Sequence, residues 1–147
     1  MLSRLRDLGA EVLVVSGHDA NTAWRQAQAL DLEPVVNGFV CMNQGGCPHV
    51  RQQLVTQLAR ESDGDYRIAW LTDLPPELMQ ARALGVIGIA AGWGRVPLST
   101  LRSTRPPIVA SKPAEVTLAL ELPQSWFDAL RAPWAGSGDS RPGCPLR

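Results

Sequence analysis

Lysine is nearly absent from this chain: of its 14 basic residues only Lys112 is a lysine, and the rest are arginines. A flexible ammonium point charge is therefore available at one position only. No charge sign dominates either, because 14 Asp and Glu residues balance the basic ones to a net charge of zero. That balance removes the electrostatic case for nucleic acid or an anionic membrane surface as a partner. Long apolar runs are missing too, none approaching the roughly 18 residues of a membrane span. The opening "MLSRLRDLGAEV" has no signal-peptide apolar region between basic and small-residue flanks. Three cysteines, an odd and small number, give no disulfide framework and agree with a reducing compartment. A cytoplasmic location is the default expectation.

What is present is an ordinary globular composition, 45% apolar and 19% charged over 147 residues, enough chain for one domain with a real core. Short β-rich runs alternate with segments of helical period. "EVLVV" (Glu11 to Val15), "PVVNGFV" (Pro34 to Val40), "RIAWL" (Arg67 to Leu71), "VIGIA" (Val86 to Ala90) and "PIVA" (Pro107 to Ala110) read as strands. Between them, "DANTAWRQAQAL" puts Ala23, Trp24, Ala27 and Leu30 on one helical face, and "HVRQQLVTQLARE" does the same with Val50, Leu54, Val55 and Leu58. "PPELMQARALG" has prolines where a first turn tolerates them and Gly85 where a helix can end, and "PAEVTLALEL" is a further helix with Pro113 at its start. Regular alternation implies an α/β fold with a mainly parallel sheet, right-handed crossovers and helices on both faces. Residues 1–130 are expected to form this domain, and the Gly-, Pro- and Ser-rich tail 131–147 to be disordered.

Ligands of open parallel sheets bind beyond the carboxyl ends of the strands, so the residues after each apolar run are the candidates for function. Ser16-Gly17-His18-Asp19 offers a hydroxyl, a small residue and fresh helix N–H groups, which suits an anion; alternatively Ser16 or Asp19 caps the helix. Thr72 and Asp73 follow "RIAWL", with Glu77 one turn later, and two carboxylates over one strand end suit Mg²⁺; alternatively both acids serve the helix start. Ala91-Gly92-Trp93-Gly94 is a glycine-flanked turn whose backbone can approach a ligand. Cys41, Cys47 and His49 lack the fourth ligand and the spacing of a zinc site, and a loop with inert thiols is expected there. Trp24, Trp70 and Trp93 are expected in the core.

Taken together, these segments resemble the haloacid dehalogenase (HAD) superfamily of phosphatases, nearest its phosphoglycolate-phosphatase-like branch. "LRDLGAEVLVVSGHDANTAWRQAQALDLE" looks like the family's second motif, with Ser16 at the phosphate-binding position. "IAWLTDLPPELMQARALGVIGIAAGWG" looks like its fourth, with Asp73 and Glu77 on the two Mg²⁺-binding acids and Thr72 in place of the usual glycine. "ARALGVIGIAAGWGRVPLSTLRSTRPPIVASKPAEVTLAL" is similar to the segment that closes the family's fold. The resemblance spans about Leu5 to Leu120. It implies a three-layer Rossmann-like core, a Mg²⁺-dependent phosphate-monoester phosphatase, and a small phosphorylated molecule as ligand.

Two departures qualify what it implies. The family's nucleophile motif, Asp-x-Asp on the first strand, has no counterpart before Glu11, and Cys47-Pro48 stands at the place of the third-motif lysine, with Arg51 the nearby cation. Arginine's planar fork does not reproduce a lysine point charge. The expectation is thus a HAD core with its first strand missing, inactive alone, with Ser16 and Arg51 as remnants of the catalytic set. A noncatalytic binding module of the same fold is the alternative. A receiver-like signalling domain is a third, with "TDLPPEL" and "ASKP" as its signatures, but "VVSGHD" lacks the acidic pair that domain needs. In the family the missing strand lies between those ending at Ser16 and Asp73. Its loss leaves three outcomes, direct closure of these two strands on each other, a strand donated by a second copy or another polypeptide, or a marginally folded, sticky domain, and closure or donation is the expectation.

Overall fold

The computed structural model describes residues 1–41, 49–61 and 67–122, together with Ser125. Its elements in chain order are α1 (Leu2–Asp7), β1 (Leu13–Ser16), α2 (Ala20–Ala29), a 3-10 turn (Glu33–Val35), β2 (Gly38–Cys41), α3 (His49–Glu61), β3 (Ala69–Thr72), α4 (Pro75–Ala83), β4 (Ile87–Ala91), α5 (Leu98–Ser103), β5 (Ile108–Ala110) and α6 (Pro113–Leu120). All five expected strands form. Their starts move inward where proline or a helical turn takes the leading residues. Pro34 has no N–H to give a ladder and occupies the first turn of the 3-10 helix instead of opening a strand. The six-residue helices α1 and α5 are too short to show a periodic face in sequence.

Every strand pairing is parallel, as the alternation requires. The strands fall into two sheets, β1–β2 and β3–β4–β5, divided at the place where the sequence lacks the strand expected between those ending at Ser16 and Asp73. Direct closure does not occur: β1 pairs with β2 and β3 with β4, and β1 and β3 are not hydrogen-bonded to each other. Sequence period identifies a strand but carries no term for which edge it pairs.

The larger sheet holds the core. Alternation along β4 sends Ile87 and Ile89 to one face, where they meet Ile108, Ala110 and Val116 of α6. Gly88 and Ala90 face the other way, beneath Leu78 and Ala81 of α4 and Leu101 of α5. Helices therefore cover both faces of this sheet. Among the described residues Ile89, Leu101 and Val116 are the largest fully enclosed side chains, each contributing about 1.5–3 kcal/mol by leaving water. Val55 of α3 joins Ala81 and Val86, with Trp70 against them. Gly85 takes φ +69° just beyond α4, the left-handed conformation that ends a helix at little cost to glycine.

The smaller sheet is thinly covered, and no residue of β1 or β2 is buried. Ala23 and Ala27 form the buried side of α2, whereas Leu30 is exposed and Trp24 is 48% exposed, edge-on to Phe39. Trp93 is also exposed, so of the three tryptophans expected inside only Trp70 packs against a core cluster. Asn37 zips the entry to the β1–β2 pair, its side chain accepting from Val12 N–H at 2.8 Å while its N–H donates to Val12 O at 2.7 Å. Ala69 and Leu71, on the α6 side of β3, are exposed beside the buried Ile87 and Ile89 with which they are in register. No helix of the described residues is long and apolar enough to cross a membrane.

Candidate functional site

Three strand ends carry the residues singled out by sequence. At the end of β1, the Ser16 hydroxyl accepts from His18 N–H at 3.1 Å, closing a local turn. Asp19 is the N-cap of α2: its carboxylate accepts from Thr22 N–H at 3.0 Å and from the Thr22 hydroxyl at 2.7 Å. The Thr22 hydroxyl, followed by its backbone N–H, holds the Asp19 carboxyl below its ordinary value of 3.8. Capping thus falls to Asp19, while Ser16 lies outside the helix start. A negative charge already in place at that N-terminus weakens it as a cradle for a second anion. Ser16 is in register with Cys41, which lines an open cavity of about 460 Å³ together with Asn21, Trp24 and Phe39. This mostly apolar hollow belongs to the β1–β2 sheet and is not lined by either acid of the β3 end.

At the end of β3 the two acids are engaged separately. The Thr72 hydroxyl donates to Glu77 Oε2 at 2.6 Å and accepts from Leu74 N–H at 3.1 Å, a closed bracket around the β3–α4 corner. Both side chains of that bond are buried, Thr72 at 8% and Glu77 at 9% exposure. The Leu74 N-cap of α4 makes no side-chain capping bond, and Pro75 and Pro76 occupy the first helical positions, where a missing N–H costs nothing. Glu77 in the first turn also complements the helix dipole.

Asp73 turns instead to the loop after β4. Its Oδ2 accepts from Arg95 N–H at 2.8 Å. A Cβ at Gly94 would collide with Asp73 Cβ, Cγ and Oδ2, so this approach requires glycine there. The far side of the same loop is tied to β5, with Gly92 N–H donating to Ala110 O at 2.7 Å. The glycine-flanked turn, read in sequence as a surface that could approach a ligand, approaches Asp73.

Mg²⁺ is the ion that the resemblance implies for Asp73 and Glu77. A hard cation of this kind wants carboxylate oxygens that face a common, water-accessible point. Here each acid commits an oxygen to a different neighbour, and Glu77 is enclosed. Among the described residues no group of three or more His, Cys, Asp and Glu side chains is arranged to hold a metal. The pair is a poor fit to a Mg²⁺ shell.

Of the other candidates, Arg51 is carried by α3, but its side chain lies outside the described residues, as does Cys47. Ser16 ends β1 and Asp73 follows β3, strands of different sheets. Sequence reasoning missed the contact between Asp73 and the Gly94–Arg95 backbone, although the two glycines around Trp93 were its visible signal.

Parallel strands with helices on both faces of the larger sheet define a Rossmann-like α/β fold. The comparison with solved structures sharpens this to the fold of haloacid dehalogenase-like hydrolases. The chain is similar to the hydrolase, haloacid dehalogenase-like family protein SP0104 from Streptococcus pneumoniae, with a TM-score of 0.65 and 20% identity over 82% of this chain. The match spans 58% of that protein's length. At this identity the likeness concerns the fold. No protein-family model and no curated protein matches the chain.

Proposed function

We propose that this chain is a noncatalytic unit of the haloacid dehalogenase-like hydrolase fold, built on the scaffold of a phosphate-monoester phosphatase and without phosphatase activity of its own. One observation carries this reading. The carboxylates found at the described strand ends are each committed to their own loops, Asp19 to Thr22, Glu77 to Thr72 and Asp73 to Arg95 N–H. A covalent aspartyl-phosphate route needs a carboxylate free to attack and an acid to protonate the leaving group. Neither role falls to these three carboxylates. The Cys47-Pro48 pair at the place of the third-motif lysine supports the same reading.

The ligand of such a unit is a small phosphorylated molecule, met by the Ser16 hydroxyl, the residue that matches the family's phosphate-binding position, and not by the α2 N-terminus that Asp19 already occupies. The Ser16 hydroxyl accepts in its turn with His18 N–H and so keeps its own proton to donate. The test is hydrolysis of p-nitrophenyl phosphate by the pure 147-residue chain in millimolar MgCl₂. Turnover at the level of buffer alone is the expected result. Mg²⁺-dependent hydrolysis that disappears in Asp73→Asn overturns the proposal.

A further inference from the structure

We propose that Asp73 and Glu77 are not metal ligands in this chain but the two halves of a lock that fixes the β3–α4 corner to the loop between β4 and α5.

The lock has two bolts. Glu77 reaches back from the first turn of α4 to the Thr72 hydroxyl at 2.6 Å, and that hydroxyl in turn accepts Leu74 N–H. This holds the last residue of β3 to the helix that follows it. Asp73, between them, reaches across to Arg95 N–H at 2.8 Å and lies against Gly94 with no space for a side chain. The Gly92 N–H closes the other end of that loop on Ala110 O. Asp73 thereby ties the carboxyl end of β3 to the loop after β4 by a bond that no strand ladder supplies, and the Gly92–Ala110 bond, which continues the β4–β5 ladder, joins that loop to β5.

Such ties have a reason at this place. Pro75 and Pro76 remove two N–H groups from the α4 entry, and Leu74 offers no side-chain cap. With no capping side chain at Leu74, the Thr72 and Glu77 side chains are what join the end of β3 to the first turn of α4. A Mg²⁺ ligand would have to give up these partners or share them. Both acids read as family metal ligands in sequence because a lock and a ligand pair ask for the same residue types at the same spacing. Hydrogen-bond partners separate the two roles.

Asp73→Asn and Asp73→Ala, made in the full chain, test the proposal. Asparagine keeps an acceptor oxygen for Arg95 N–H but is a poor Mg²⁺ ligand, whereas alanine loses both properties. Thermal melts in EDTA and in millimolar MgCl₂, calorimetric titration with MgCl₂, and exchange of the Arg95 amide are the readouts. The lock predicts that Asp73→Asn melts close to the unsubstituted chain with Arg95 N–H still protected. Asp73→Ala is expected to melt lower by roughly 5 °C, on the scale of one lost charge-assisted hydrogen bond, with that amide unprotected. Mg²⁺ should move none of the three melts. A melt of the unsubstituted chain raised by Mg²⁺, with the rise abolished in Asp73→Asn, overturns the proposal, and so does an alanine variant as stable as the parent. The outcome is separable from the functional reading: a chain that binds Mg²⁺ at Asp73 yet hydrolyses nothing refutes the lock and leaves that reading standing.

Discussion

Thr72→Val is the substitution that weighs the buried bond most directly. Valine preserves the branched shape and the strand preference of threonine at the end of β3. It removes only the hydroxyl. Two groups then lose this hydroxyl: Glu77 Oε2, which received a 2.6 Å bond, and Leu74 N–H, which donated at 3.1 Å. A hydrogen bond to a carboxylate is worth about 1.5–3 kcal/mol and a neutral one about 1 kcal/mol. With Glu77 only 9% exposed, water replaces little of the lost interaction. The expected cost is therefore about 2–4 kcal/mol. Urea unfolding followed by tryptophan fluorescence and circular dichroism reads it, as a midpoint lower by roughly 1–2 M with an unchanged slope. Glu77→Gln keeps an acceptor for the Thr72 hydroxyl and is expected to cost less, and the double variant should fall short of the sum of the two. Strict additivity, or a Thr72→Val chain within about 0.5 kcal/mol of the parent, would refute the reasoning.

Asp19 provides a test in pH. The Thr22 hydroxyl, and then its backbone N–H, hold the folded-state value below 3.8. The sign of the linkage follows: the cap's contribution is fully present above the unfolded value and is lost as pH falls through the folded one. Thr22→Val should move the Asp19 carboxyl resonance midpoint upward toward 3.8, and an unmoved midpoint refutes the assignment. The two sheets make a prediction about association. β1 and β3 each pair on one side only among the described residues, and open edges of this kind recruit strands. Sedimentation velocity should show concentration-dependent self-association. A strictly monomeric chain in which the amides of Val14 and Leu71 exchange slowly would show that these edges are satisfied some other way.

Sequence alone was enough for the elements that local physics decides. Short β-rich apolar runs located all five strands and the 3.6-residue apolar period located α2 and α3, while proline and glycine signals located α4 and α6. Gly85 marked the end of α4 and Pro113 the start of α6 for equally local reasons, backbone conformation and a missing N–H. The order of motifs also pointed to the fold. What sequence could not hold was any quantity set by groups far apart along the chain. Trp24 and Leu30 satisfy the helical period of α2, yet whether they are covered depends on what packs over a small two-stranded sheet. The division into two sheets rests on which backbone edges meet, and a strand's composition is the same on either side of that choice. Asp73 and Glu77 show the limit most clearly. An acid four residues before another, at the end of an apolar run, satisfies a metal pair, a helix start and a loop lock equally well. Only the approach of the Gly94–Arg95 backbone, 22 residues away in the chain, decides where the Asp73 carboxylate points.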